Sequence, residues 1–113
     1  MREKLAYGRS GLTVTLPDTV DVLAPRFLPG LPDEPDALRA VLHDPIGSAA
    51  LADLVKPGDG VVVVHTDITR ATPNDRILPV LLEELEKAGI ARKNITLING
   101  LGTHRLQTEA ELR

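Results

Sequence analysis

Two short runs of branched apolar residues, Val61-Val62-Val63-Val64 and Ile95-Thr96-Leu97-Ile98, flank one amphipathic stretch. Bounded by Gly and Pro, such runs read as strands buried in a sheet. Between them, Ile77, Leu78, Leu81, Leu82, Leu85 and Ala88 recur at the spacing that a helix lays on one face. Strand, helix and strand make a βαβ unit, with parallel strands and a right-handed crossover. The pattern predicts strands near 61–66 and 95–98. Gly89 fits the position just past the helix, where Ile90 can fold back on the last turn. At the other end, Thr72-Pro73-Asn74-Asp75 has the form of a capping box with proline at the first helical position. That start would leave Pro79 in the interior, where its ring and missing N–H cost ~3 kcal/mol. A start near Asp75 or Arg76 is favoured on that ground.

The preceding sequence reads as β-rich. Leu12-Thr13-Val14-Thr15-Leu16 alternates as a half-buried strand does, and Gly8-Arg9-Ser10-Gly11 is turn chemistry. Leu5 to Tyr7 is then the expected hairpin partner, and Val20 to Ala24 a further short strand. Pro25, Pro29, Pro32 and Pro35 punctuate an irregular excursion, with Phe27, Leu28 and Leu31 as its expected anchors. One helix is predicted from Asp36 to Leu42, ended by His43-Asp44-Pro45. Another should run from Ser48, a good N-cap, to Val55. Thr108-Glu109-Ala110-Glu111 resembles a capping box that opens a helix. Arg113 leaves that helix unfinished, so the chain is expected to be a piece of a longer protein. The whole is expected to be one α/β domain: three layers about a mostly parallel sheet, with a β-rich N-terminal part.

Bulk properties exclude several functions. With 113 residues the chain is expected to form a single modest core. A net charge of −3 argues against a general polyanion surface. Tyr7 and Phe27 are the only Phe, Tyr or Trp residues, so no platform exists for stacking single-stranded nucleic acid. Without cysteine there are no disulfides, thiolate metal sites or thiol nucleophiles. Neither a signal peptide nor an apolar run near the ~20 residues of a membrane span is visible. A cytoplasmic location, with neither nucleic acid nor membrane as partner, is expected.

The chemistry gathers in two loops. Asp67-Ile68-Thr69-Arg70 follows the first strand and Gly100-Leu101-Gly102-Thr103-His104-Arg105 the second. In open parallel sheets, ligands bind beyond the carboxyl ends of the strands. Arg70 offers a planar fork that matches carboxylate or phosphate. Asp67 can orient Arg70 or accept from ligand hydroxyls; the competing reading is an Asp–Arg pair that only stitches the loop. Thr66 and Thr69 add hydroxyls. His104 is the candidate acid–base, because imidazole titrates near neutrality. Gly100 and Gly102 permit tight geometry and close ligand approach. Arg105 is a second anion contact or simply solvated. The GxGxxG fingerprint fails, since Arg105 stands at its third glycine. His65, Asp67 and His104 suggest a metal site, although packing at a strand end is the commoner role for His65. His43 reads as surface loop.

Taken together, Asp67-Ile68-Thr69-Arg70-Ala71-Thr72-Pro73 and Gly102-Thr103-His104-Arg105, joined by the βαβ unit, resemble the N-terminal domain of the lactate racemase family. Asp44-Pro45-Ile46-Gly47-Ser48 and Lys56-Pro57-Gly58-Asp59 extend the likeness. The resemblance implies part of an isomerase that racemises or epimerises a 2-hydroxy acid with a nickel-pincer nucleotide cofactor. By it, His104 matches a catalytic histidine. Asp67, Ile68, Thr69 and Arg70 match the cofactor loop, and Arg70 is also similar to the residue that holds the substrate carboxylate. No nickel ligand is expected in this stretch. The cofactor-tethering lysine, the nickel-binding histidine and a second catalytic histidine are implied in a C-terminal domain of the same polypeptide, so this stretch alone is expected to be inactive. Two readings compete: a non-catalytic phosphate- or nucleotide-binding module, and a metal-dependent hydrolase domain on His65, Asp67 and His104.

Overall fold

The computed structural model describes residues 1–112. They form two compact units, Met1–Gly30 and a second that starts at Leu31. In the first, β1 (Arg2–Leu5) and β2 (Leu12–Thr15) pair antiparallel, with Leu5 opposite Leu12. The partner strand lies nearer the N-terminus than Leu5–Tyr7, because Tyr7 is used by the turn: its carbonyl accepts from Gly11 N at 2.9 Å. Val20 to Ala24 is not a strand, and no neighbouring strand offers it a ladder. Phe27 and Leu28 do not anchor the proline-rich stretch; both are exposed.

The second unit contains α1 (Glu34–His43), α2 (Leu51–Leu54), β3 (Val61–His65), α3 (Asn74–Lys87) and β4 (Ile95–Asn99). The parallel strand–helix–strand unit is formed as expected. β3 and β4 are parallel and in register from Val61 opposite Ile95 to His65 opposite Asn99. The strands are not buried on both faces, however. Val62 and Val64 are 59% and 68% exposed, on the side away from α3, and Ile98 beside them is 45% exposed. The reason is the placement of the helices. Leu78 and Leu82 of α3 line hollows with Leu97 of β4, while α1 and α2 pack on α3 and not on the open sheet face. The described strands thus make two separate two-stranded sheets, not one sheet between two helical layers.

α1 starts before Asp36, because the Asp33 carboxylate accepts from Asp36 N at 3.0 Å and caps a first turn that contains Pro35. It runs through His43, which is not a loop residue. Its Nε2 lies 2.7 Å from the buried Glu84 carboxylate of α3, which Lys87 also reaches at 2.9 Å. These contacts hold the Glu84 carboxyl below its ordinary range, Lys87 most strongly and then His43. α2 is a single turn. Ser48 does not cap it, since Ser48 lies in the turn after Pro45 and Ala50 precedes the helix.

α3 begins at Asn74, so Pro79 does lie inside it. No N–H then answers the Asp75 carbonyl one turn back. Thr72 makes no cap. Instead the Asn74 side chain reaches back to the Thr66 carbonyl at 2.7 Å, which ties the helix start to the end of β3. At the other end, Gly89 and Ile90 close a Schellman motif, with Gly89 N on Glu86 O and Ile90 N on Leu85 O, both 3.0 Å. Gly89 has φ +94°, and a Cβ there would meet Pro57 Cγ at 2.9 Å. Ile90, Leu85 and Val80 are the buried apolar residues among those described. No described helix is long and apolar enough to cross a membrane.

Candidate functional site

Both polar loops leave the carboxyl ends of paired strands, and the pairing sets their separation. Gly100 N donates to His65 O at 2.8 Å, one step beyond the ladder. A Cβ on Gly100 would lie 3.3 Å from that carbonyl oxygen, so the glycine admits close approach of the chain's own β3 backbone. Leu101 to His104 is a turn closed by His104 N on Leu101 O at 3.0 Å. Gly102 adopts φ +60° within it, a conformation that costs most other residues energy. His104 is thereby aimed back toward the first loop.

That loop is a turn too. Arg70 N donates to Asp67 O at 3.2 Å, and the Asp67 side chain accepts from Thr69 N at 3.1 Å. This is an Asx-type arrangement, in which a carboxylate replaces a backbone acceptor. The Thr69 hydroxyl donates to the same Oδ1 at 2.7 Å, and His104 Nδ1 hydrogen-bonds the other oxygen, Oδ2. Thr69 Oγ1 also stands 3.3 Å from His104 Nδ1. Asp67 is 3% exposed, so this donor set compensates a carboxylate almost withdrawn from water. The Thr69 hydroxyl, then the His104 contact, hold the carboxyl well below the usual range, at about 2, against an opposing push from burial.

The structure thus joins Asp67, Thr69 and His104. Asp67 does not orient Arg70: its oxygens are taken by Thr69 and His104, which disposes of the stitching pair. The Arg70 guanidinium is exposed and has no hydrogen-bond or ion-pair partner among the described residues. Ile68 at the loop tip is 52% exposed. Arg105 is solvent-exposed, one of the two expected roles, but is not free to contact a ligand anion. It forks onto Glu111 at 2.9 and 2.7 Å, and Glu111 completes a capping box with Thr108. The expected helix stops at one 3-10 turn, Glu109–Glu111. Arg105 chiefly, with the Thr108 N–H, draws the Glu111 carboxyl down to about 2.

His65 turns from the pair. Its Nδ1 lies 3.0 Å from the Thr66 carbonyl, and among the described residues no three His, Cys, Asp or Glu side chains could hold a metal ion. A hollow of about 610 Å³ lies behind the loops, lined by His65, Thr66, Asn74, Leu78 and Asn99 but not by Asp67, Arg70 or His104. The residue that sequence reasoning missed is Asn74. Its polar side chain at a helix start looks like cap chemistry, and only the fold shows it spanning to Thr66.

Fold and loops define a class first: an α/β domain that presents a carboxylate-braced imidazole and an unpaired guanidinium at the ends of parallel strands. The family model of the lactate racemase N-terminal domain matches residues 7–113, and the chain belongs to that family. It is 30% identical to the lactate racemase of Thermoanaerobacterium thermosaccharolyticum over 115 residues, which cover 97% of this chain and 26% of that protein. It is 32% identical to the lactate racemase of Lactiplantibacillus plantarum over 79 residues, 70% of this chain and 18% of that protein. The solved structure of the Thermoanaerobacterium lactate racemase apoprotein superposes with a TM-score of 0.76 at 30% identity, covering 99% of this chain and 26% of that one. The chain therefore spans about a quarter or less of the length of these relatives.

Proposed function

We propose that this chain is the N-terminal part of a racemase or epimerase of a 2-hydroxy acid such as lactate, in which His104 moves the hydroxyl proton. The observation that carries the reading is the contact of His104 Nδ1 with the buried Asp67 carboxylate. A carboxylate accepts only, so Nδ1 carries the hydrogen and the neutral ring keeps its lone pair on Nε2. Nε2 has no partner among the described residues, and the His104 side chain is 38% exposed. An imidazole braced on one nitrogen and free on the other can take a proton from a substrate hydroxyl and return it. As that proton arrives the ring becomes cationic, and Asp67, ionised at neutral pH, stabilises it.

The proposal includes the nickel-pincer nucleotide. When bound, it supplies a hydride acceptor and donor for C2 of the hydroxy acid. Its anionic groups suit this chain: Arg70 offers an unpaired planar fork, and Ile68 and Thr69 present loop surface beside it. Arg70 also suits the substrate carboxylate. We assign nickel ligation, the tethering lysine and the second proton-transfer histidine to the C-terminal domain of a longer polypeptide, because His43 is held by Glu84 and His65 by Thr66. In that polypeptide, further strands and helices over Val62, Val64 and Ile98 would complete a three-layer, mostly parallel sheet. The proposed location is the cytoplasm.

In the intact protein, His104→Ala is expected to abolish racemisation while nickel and nucleotide content stay at the wild-type level. Undiminished turnover would sink the assignment. A purely nucleotide-binding module would use Arg70 but give the braced His104 no role; nucleotide titration of the same variant separates the two.

A further inference from the structure

We propose that Asn74 is a positioning residue for His104, acting through the Thr66 carbonyl and Asp67; the inference rests on the proton-transfer reading of His104. β3 ends at His65, whose carbonyl takes the last cross-strand bond, from Gly100 N. The next carbonyl, of Thr66, has passed the end of the ladder and is held by side chains. Asn74 Nδ2 donates to it at 2.7 Å, and His65 Nδ1 lies 3.0 Å away. The two holders differ in kind. His65 is the sequence neighbour and moves with the strand. Asn74 is eight residues on and is the first residue of α3, so its amide closes the loop against a rigid helix.

That carbonyl belongs to the peptide plane between Thr66 and Asp67. A peptide group is planar, so fixing its oxygen fixes the nitrogen and Cα of Asp67. From that Cα the carboxylate must reach Thr69 with one oxygen and His104 with the other. A rotation of the plane would swing both oxygens away from their donors. The Asn74 side chain bonds to Thr66 and not to the imidazole; its influence passes through one carbonyl and one carboxylate.

The test uses the intact protein with Asn74→Ala and, as a second variant, Asn74→Ser. Serine is at home near a helix start but is too short to bridge to Thr66. Selective carboxyl labelling follows the Asp67 titration by NMR. The midpoint, about 2 in the wild type, is expected to rise by roughly one unit toward the ordinary aspartate value near 3.9. The kcat for racemisation should fall about tenfold with KM changed less than about twofold. Adding Asn74→Ala to Asp67→Asn should cost nothing further, because both changes break one path. An unmoved Asp67 midpoint in a folded Asn74→Ser protein overturns the proposal, as do losses that multiply in the double variant. Absence of racemase activity from the wild type would overturn the reading of His104 instead, and the carboxyl titration would still decide the role of Asn74.

Discussion

Asp67 divides its two oxygens between two loops, and the chemistry of the site depends on that division. Its carboxyl is depressed to about 2 by Thr69 and His104, against an unfolded value near 3.9. A group held below its unfolded value stabilises the fold fully while ionised in both states, and progressively less as the unfolded and then the folded group is protonated. Its contribution is therefore full above about pH 4 and disappears as the pH falls through about 2. Acid titration followed by the His104 backbone amide should show the two loops separating in that window, and loosening nearer neutrality would contradict it. Arg70 is open to water on the same loop. For the proposed racemase, Arg70→Ala is expected to raise the KM of the intact protein about tenfold or more with a smaller change in kcat; unchanged constants would remove Arg70 from the ligand. Residue types already marked Asp67, Thr69, Arg70 and His104 as the polar face of this unit. Their pairing was not legible, because the partner of Asp67 lies on the neighbouring strand's loop, and propensity says nothing about contacts that distant in sequence. Arg105 illustrates the same limit: adjacent to His104 in the chain, it serves Glu111.

α3 carries both the most legible and the least economical features of the chain. Its C-terminus follows directly from Gly89 and Ile90. Gly89→Ala is expected to lower stability by about 1–2 kcal/mol from the positive φ alone, and by more if Pro57 cannot yield. Chemical denaturation measures it, and a neutral result would mean that the turn re-forms another way. Its N-terminus was harder to place, since the cost of an interior proline argued for a later start. The Asn74 bond to Thr66 and the packing of Ile77, Leu78 and Val80 outweigh that cost. Pro79 is exposed, so Pro79→Ala should restore a donor to Asp75 O and raise stability by about 1–2 kcal/mol, less whatever the freer unfolded chain regains. The same logic explains Ser48 and Val20 to Ala24. A good cap or a strand-like run makes an element only where a neighbour receives it.

Val62, Val64 and Ile98 leave an apolar strip wet on the open face of the β3–β4 sheet. The chain on its own should self-associate through that apolar strip. Val62→Lys is expected to shift sedimentation toward the monomer with the circular dichroism unchanged. The βαβ order was readable because one face of each strand must be covered whatever else is present. That the opposite face stays bare was not, since a valine run reads alike in a sheet covered on one side or on two. The parallel register has a kinetic side as well. Val61 pairs with Ile95 and His65 with Asn99, so no rung of this ladder joins near neighbours and no hairpin can seed it. Asp67 and His104 lie 37 residues apart and can meet only after the whole crossover has closed. Such contacts are late on a folding route and early to open in exchange experiments. The imidazole's brace thus doubles as a clock for the fold: it is set when the last strand arrives.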